Sequence, residues 1–248
     1  MSAWLFDLGN TRLKCAPLLD DRAGEVIALP HREADLVAAL ADALPPRIDV
    51  AYVASVGNES LRVALLQALT ARCQRISLAR TQPAFAGVHI AYAQPHKLGI
   101  DRFLALLAVH ARFHEPVLLC GVGTALTIDL IDAQGRHVGG RIAPSPTLMR
   151  EALHERAPQL PASGGDYCDF AADTEDALTS GCQGAALGLI EFSRAEAQAQ
   201  LGTRPRLVIH GGGAEELVTR LPDATQVASL VLEGLAMWAS VESAASAS

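Results

Sequence analysis

An α/β fold made of two related lobes is predicted by three features of this sequence. Short apolar runs of strand length alternate with amphipathic stretches of helical period. A strand–turn–strand unit built on glycine and threonine occurs twice, around Gly9 and around Gly123. The 248 residues, half of them apolar, suffice for one large core or two small ones.

The elements follow in order. Residues 3–7 read as a short buried strand, 7–11 as a turn of the kind glycine and asparagine tolerate, and 12–18 as the returning strand. Helical periodicity covers 33–43 and stops before Pro45-Pro46; 50–55 is an apolar strand, 59–72 an amphipathic helix and 73–78 a further strand. Residues 81–99 form an irregular excursion, after which 101–113 is a helix ended by Glu115-Pro116. The second half begins with a strand at 117–120, the turn Gly121-Val122-Gly123-Thr124, and strands at 125–131 and 137–143. Helices at 148–156 and 174–197 precede a strand at 207–210, three glycines at 211–213, and helices at 214–221 and 230–239. Gly181, Gly184 and Gly188 on the long helix would let another element approach closely. The Ala/Ser-rich residues 240–248 are expected to fray. The join near Glu115-Pro116 divides the chain into lobes 1–115 and 116–248.

Composition excludes several functions. The net charge is -7, and the only lysines are Lys14 and Lys97, so no basic stripe for nucleic acid is present. Five scattered cysteines with no CxxC pair point to reduced thiols in a cytoplasmic protein. No apolar run is long enough to cross a membrane, and Asp7 interrupts the first one too early for a signal peptide. His110, His114 and His154 lie on predicted helices without a third ligand nearby, so no metal-ligating set is expected.

The chemistry-bearing residues lie at the turns. The glycines of 7–14 and 121–124 can bring backbone N–H groups to an anion, Thr11 and Thr124 add hydroxyls, and Arg12 and Lys14 add charge. The same residues also suit two ordinary hairpins. No GxxxxGK[ST] segment occurs, nor the HRD and DFG segments of protein kinases. Asp101, two residues after Gly99, is either a helix cap or a general base, and Arg102 could bind a carboxylate through its rigid fork. Asp129, inside an apolar strand, reads as structural and could point outward by strand alternation. Gly211–Gly213 suits a nucleotide contact or simple close packing.

Taken in order, these residues resemble the type III pantothenate kinases of the acetate kinase/sugar kinase/Hsp70/actin superfamily. Asp7-Leu8-Gly9-Asn10-Thr11-Arg12-Leu13-Lys14 is similar to the family's first phosphate motif. Tyr92-x-x-Pro95-x-x-Leu98-Gly99-Ile100-Asp101-Arg102 resembles its pantothenate and catalytic segment, and Gly123-Thr124-Ala125-x-Thr127-x-Asp129 its second phosphate motif. Gly139-Gly140-x-Ile142-x-Pro144, Asp173-Thr174 with Gly181, Gly211-Gly212 and Leu232-Glu233-Gly234-Leu235 complete the pattern over nearly the whole chain.

The resemblance implies two ribonuclease-H-like (actin-like ATPase) lobes with mixed sheets flanked by helices. It implies phosphorylation of pantothenate by ATP to 4'-phosphopantothenate, the first step of coenzyme A synthesis. The implied partners are ATP with Mg²⁺, a monovalent cation such as K⁺ or NH4⁺, and a second copy of the chain in a homodimer. Asp101 would be the base; Tyr92, Gly99, Ile100, Asp101, Arg102 and Thr174 would bind pantothenate; Asp7 through Lys14 and Thr124 would contact ATP. Two departures stand out. Gly121 occupies the place of the family's cation-binding aspartate, which predicts weak or absent K⁺ dependence, and Ser145 replaces a usual glycine. These departures also leave room for an alternative, a catalytically weakened nucleotide-binding regulatory homologue. The intact Tyr92–Arg102 segment argues against that alternative and against a sugar or acetate substrate.

Overall fold

The computed structural model describes residues 2–29, 33–57 and 59–247, without the side chains of 33–35 and 245–247. The chain divides into two compact units, 1–112 with 229–248, and 113–228.

The first unit starts with the hairpin β1 (Ala3–Leu8) and β2 (Leu13–Leu19), extended at the edge by β3 (Arg22–Ala23) and β4 (Ile27–Leu29). Helix α1 (Glu33–Ala43) leads to β5 (Ile48–Ser55), which pairs parallel with β1; α2 (Glu59–Thr70) then leads to β6 (Cys73–Leu78), parallel to β5. The strand order is β3-β2-β1-β5-β6, with β4 on β2. Phe6, Leu8, Leu13, Val53, Leu36, Leu40 and Leu65 bury one face of this sheet under α1 and α2. The excursion after β6 contains the two-residue strands β7 (Ala84–Phe85) and β8 (Val88–His89), and the chain then enters α3 (Ile100–Phe113). The end of α3 is marked by His114 at φ 48, a left-handed residue that turns the chain out of the helix.

The second unit repeats this wiring. β9 (Val117–Val122) and β10 (Ala125–Ile131) form the hairpin, and β11 (His137–Pro144) extends it. Helices α4 (Pro146–Arg156) and α5 (Thr174–Leu201) follow; then β12 (Arg206–His210) pairs parallel with β9. Helix α6 (Ala214–Val218) and β13 (Thr225–Gln226), parallel to β12, close the order β11-β10-β9-β12-β13. The core lies between β9, β10 and β12 and helices α5 and α6, with Ala186, Ile190 and Leu217 contributed by the helices. The recurrence seen in the sequence is therefore a recurrence of topology: a hairpin whose first strand takes a parallel neighbour, and then a second.

The last helix, α7 (Leu230–Ala247), departs from the sequence reading twice. It packs on β1, β2, β3 and β5, so it belongs to the first unit rather than to a lobe 116–248. Gly234 explains the attachment: a Cβ there would stand 1.9 Å from the Leu104 carbonyl oxygen, so the α3 and α7 backbones touch. The helix also runs through residues 240–247 instead of fraying. Ser243 Oγ hydrogen-bonds Tyr52 Oη at 2.6 Å, Ser240 Oγ donates to Asp21 at 2.7 Å, and Trp238 meets Tyr52 edge-on. Ser248 lies outside the described residues. The short strands β3, β4, β7, β8 and β13 escape sequence reading because two or three residues show no period. Among the described residues, no helix is long and apolar enough to cross a membrane.

Candidate active site

Strand alternation puts Asp7 on the face of Leu5, Ala54 and Tyr52, opposite the core under α1 and α2. Asp7 is the penultimate residue of a central strand, facing Lys14 across the antiparallel pair and Ala54 across the parallel one. The turn that follows is closed by Gly9 N–H donating to the Arg12 carbonyl at 3.1 Å, while Asn10, Thr11 and Arg12 are exposed. Gly57 packs on this turn, where an added Cβ would lie 3.1 Å from the Gly9 carbonyl oxygen.

Asp101 comes to the same place from α3. The Gly99 carbonyl accepts the first helical hydrogen bond, from Phe103 N–H at 3.0 Å, so Gly99 takes the cap position and Asp101 lies inside the first turn. A Cβ on Gly99 would stand 2.6 Å from Asp101 Oδ1, so the carboxylate occupies space that any other residue at 99 would take from it. The Asp101 carboxylate folds back over that glycine and accepts from Arg102 N–H at 2.8 Å.

The two carboxylates feel each other. Burial raises the Asp7 carboxyl to about 7, the charge of Asp101 pushes the same way, and Lys14 opposes both. Asp7 remains partly open at the strand end although protein encloses it on most sides. Two coupled acids beside a lysine, at the end of a strand and the start of a helix, form a site for a positively charged or proton-donating partner.

Arg102 and Tyr92 also meet. Arg102 is buried, Nη1 donates to Tyr92 Oη at 3.2 Å, and the guanidinium lies 5.9 Å from the ring centroid. The excursion carrying Tyr92 is held by Thr81 Oγ1 donating to the Leu98 carbonyl at 2.9 Å. Ile100 is buried at the start of α3. The first unit thus brings together Asp7, the 8–14 turn with Lys14, Tyr92, Gly99, Ile100, Asp101 and Arg102.

The remaining sequence-predicted residues, Thr124 and Thr174, lie in the second unit. Thr124 is exposed in the β9–β10 turn, which Gly123 N–H closes by donating to Ala125 at 2.9 Å. Thr174 opens α5, capped by Asp173, whose Oδ1 accepts from Asp176 N–H at 3.0 Å. Asp129 does not point outward: it is 1% exposed and pairs with the buried His137 Nε2 at 3.0 Å, which offsets the cost of burying it. Ser145 has a structural reason to replace glycine. Its Oγ accepts from Leu148 N–H at 3.2 Å and caps α4, with Pro146 as the first helical residue. The glycines of α5 behave differently from expectation: a Cβ on Gly181, Gly184 or Gly188 would meet nothing within 4 Å in this chain. Gly181 lines an apolar groove of about 610 Å³ together with Met149, Ala152, Leu153, Ala177 and Leu178.

Sequence reasoning missed His210. It ends β12 and pairs in register with Gly121, which pairs on its other side with Thr127. No local pattern marks it; only the parallel pairing of β9 and β12, separated by some ninety residues, brings it beside the second turn.

A family model described as type III pantothenate kinase matches residues 4–195. The type III pantothenate kinase of Stenotrophomonas maltophilia (strain R551-3) is 57% identical over 239 residues, covering 96% of this chain and 98% of its own. Among solved structures, a conserved Baf family protein from Campylobacter jejuni superposes with a TM-score of 0.63 at 21% identity, over 98% of this chain and 99% of that one. An archaeal actin homolog superposes with a TM-score of 0.50 at 11% identity, over the full length of both chains. The fold is similar to that of the archaeal actin homolog, with mixed sheets and flanking helices.

Proposed function

The chain belongs to the type III pantothenate kinase family, and on that premise we propose how its residues divide the work of phosphorylating pantothenate with ATP. The pantothenate hydroxyl oxygen attacks the γ-phosphorus, the bond from that phosphorus to the β,γ-bridging oxygen breaks, and ADP leaves with the electron pair. Asp101 accepts the hydroxyl proton. The observation that carries this assignment is the fold-back of Asp101 over Gly99 inside the first turn of α3, where its charge acts on Asp7, while Gly99 rather than Asp101 takes the cap position.

Lys14, Thr11 and the backbone N–H groups of the 8–13 turn bind the nucleotide phosphates, and Thr124 contributes from the second turn. Arg102, kept in place by Tyr92, is the carboxylate-binding fork for pantothenate, with Gly99 and Ile100 as the wall and Thr174 as a further contact. Mg²⁺ accompanies ATP and neutralises phosphate charge. Asp7, enclosed near the end of β1 and repelled by Asp101, would be the carboxylate beside such an ion, and a nearby cation would favour its ionised form. The two units are two ribonuclease-H-like lobes, a reading supported by their matching strand orders.

A homodimer completes the reading. The apolar groove between α4 and α5, with Leu153 43% exposed and the α5 glycines unopposed, is a surface that a second copy would cover. The test of the activity is direct. Purified protein given ATP, Mg²⁺ and pantothenate should yield 4'-phosphopantothenate and ADP in equal amounts by mass spectrometry. ADP without phosphopantothenate, or neither product, would refute the proposal.

A further inference from the structure

The repeated topology permits a comparison of the two turns position by position. Asp7 lies two residues before Gly9, and Gly121 lies two residues before Gly123. Each is the penultimate residue of the first strand of its hairpin, and each glycine N–H closes its own turn. Across the first sheet the row reads Lys14, Asp7, Ala54; across the second it reads Thr127, Gly121, His210. In the first row the central residue carries the long polar group and its parallel neighbour is small. In the second row the sizes are exchanged.

That exchange has a steric signature. A Cβ built on Gly121 would stand 2.7 Å from Thr127 Oγ1 and 3.0 Å from His210 Nε2. The space an aspartate side chain would need at 121 is therefore filled by an imidazole and a hydroxyl. The backbone that carries the ring is fixed on β9. The next residue, Gly211, has φ 99, and a Cβ on it would come 2.2 Å from the Val122 carbonyl oxygen, which also accepts from Gly213 N–H at 3.1 Å. The chain on either side of the imidazole is thus locked against β9, next to the exposed Gly123-Thr124 turn.

The monovalent cation that the family resemblance implies does not fit this arrangement. Hard cations take oxygen ligands, with carboxylate and carbonyl groups preferred, and imidazole nitrogen suits transition metals instead. Here the carboxylate is absent, and a nitrogen ring lies in its place.

We infer that His210 stands in for the monovalent cation: its imidazole is the hydrogen-bond donor that this kinase presents to the nucleotide phosphates beside the Gly123-Thr124 turn, and no K⁺ is bound there. The inference rests on the family reading for its substrate, but its binding arm needs nucleotide only.

Four measurements decide it. Wild-type turnover, titrated with KCl against tetramethylammonium chloride at constant ionic strength and fixed Mg²⁺, should be flat; saturable activation by K⁺ would overturn the inference. His210→Ala, and His210→Asn as the milder change, should lower kcat about tenfold or more, the scale of a lost transition-state donor, with little change in KM for pantothenate. Unchanged kcat in both variants would overturn it. Calorimetry of Mg·ADP binding should give the same affinity for the wild type in K⁺ and in tetramethylammonium, and weaker affinity for His210→Ala. This arm stands even if pantothenate is not the acceptor, so a failed substrate assignment and a failed role for His210 are told apart. Finally, Gly121→Asp alone should gain no K⁺ activation, because the ring fills the space, whereas Gly121→Asp with His210→Ala should gain it. Activation in the single variant would show that the ring does not occupy the cation's place.

Discussion

At the scale of single residues, the site is organised by which groups are left without room. Gly99 gives Asp101 its position, Gly121 yields to His210, and Asp7 is enclosed until its carboxyl is difficult to ionise. The last effect makes a prediction about stability. In the unfolded chain Asp7 ionises near 3.8, and in the folded unit near 7. Between these values the folded state holds a proton that the unfolded state has released, so stability falls as pH rises. The penalty is absent below about 4, complete above about 7, and amounts to as much as about 4 kcal/mol at 1.36 kcal/mol per pKa unit. Asp7→Asn should therefore raise Tm at pH 8 in the absence of nucleotide and flatten the decline between about pH 4 and 7, while reducing turnover. A variant less stable than wild type at pH 8 would show that the carboxylate is held by favourable contacts instead. Much of this was legible in the sequence. Asp7, Lys14, Tyr92, Asp101 and Arg102 stand in short ordered segments whose residue types already suggest phosphate and carboxylate chemistry. His210 was not legible, because its role depends on a strand register between distant segments. The burial of Asp129 depended in the same way on finding His137 across a hairpin.

At the scale of elements, the sequence defines helices and strands where period and length are sufficient. The β1–β2 and β9–β10 hairpins follow from short apolar runs around Gly-Thr turns, and α3 from its run of apolar positions. What it does not disclose is where α7 docks. Its attachment depends on one glycine whose role is visible only against the α3 backbone. Gly234→Ala should be strongly destabilising, because the new methyl meets a main-chain carbonyl and cannot be relieved by a rotamer change. Overpacking of this kind costs about 1–3 kcal/mol or more, and a lowered Tm with a loosened α7 by hydrogen exchange is the expected result. Gly184→Ala should do the opposite for the isolated chain, gaining up to about 1 kcal/mol of helix propensity, since nothing in this chain lies within 4 Å of the added methyl. A destabilised Gly184→Ala monomer would contradict the open face assigned to α5.

At the scale of the whole molecule, the same α5 face bears on assembly. Sedimentation of the wild type at micromolar concentration should give a dimer. Leu153→Glu places a charge in the apolar groove beside α5 and should shift the protein toward monomer while leaving its secondary structure intact. A fully active monomer would remove the dimer from the account. The central claim, however, concerns catalysis, and one variant addresses it most directly. Asp101→Asn keeps the shape of the side chain and its ability to accept from Arg102 N–H, but cannot take the pantothenate proton at neutral pH. Turnover with ATP and pantothenate should fall about 10²–10⁴-fold, the usual worth of a general base, with Tm close to that of the wild type. Near-wild-type turnover in a folded Asp101→Asn protein would contradict the assignment of Asp101 as the base.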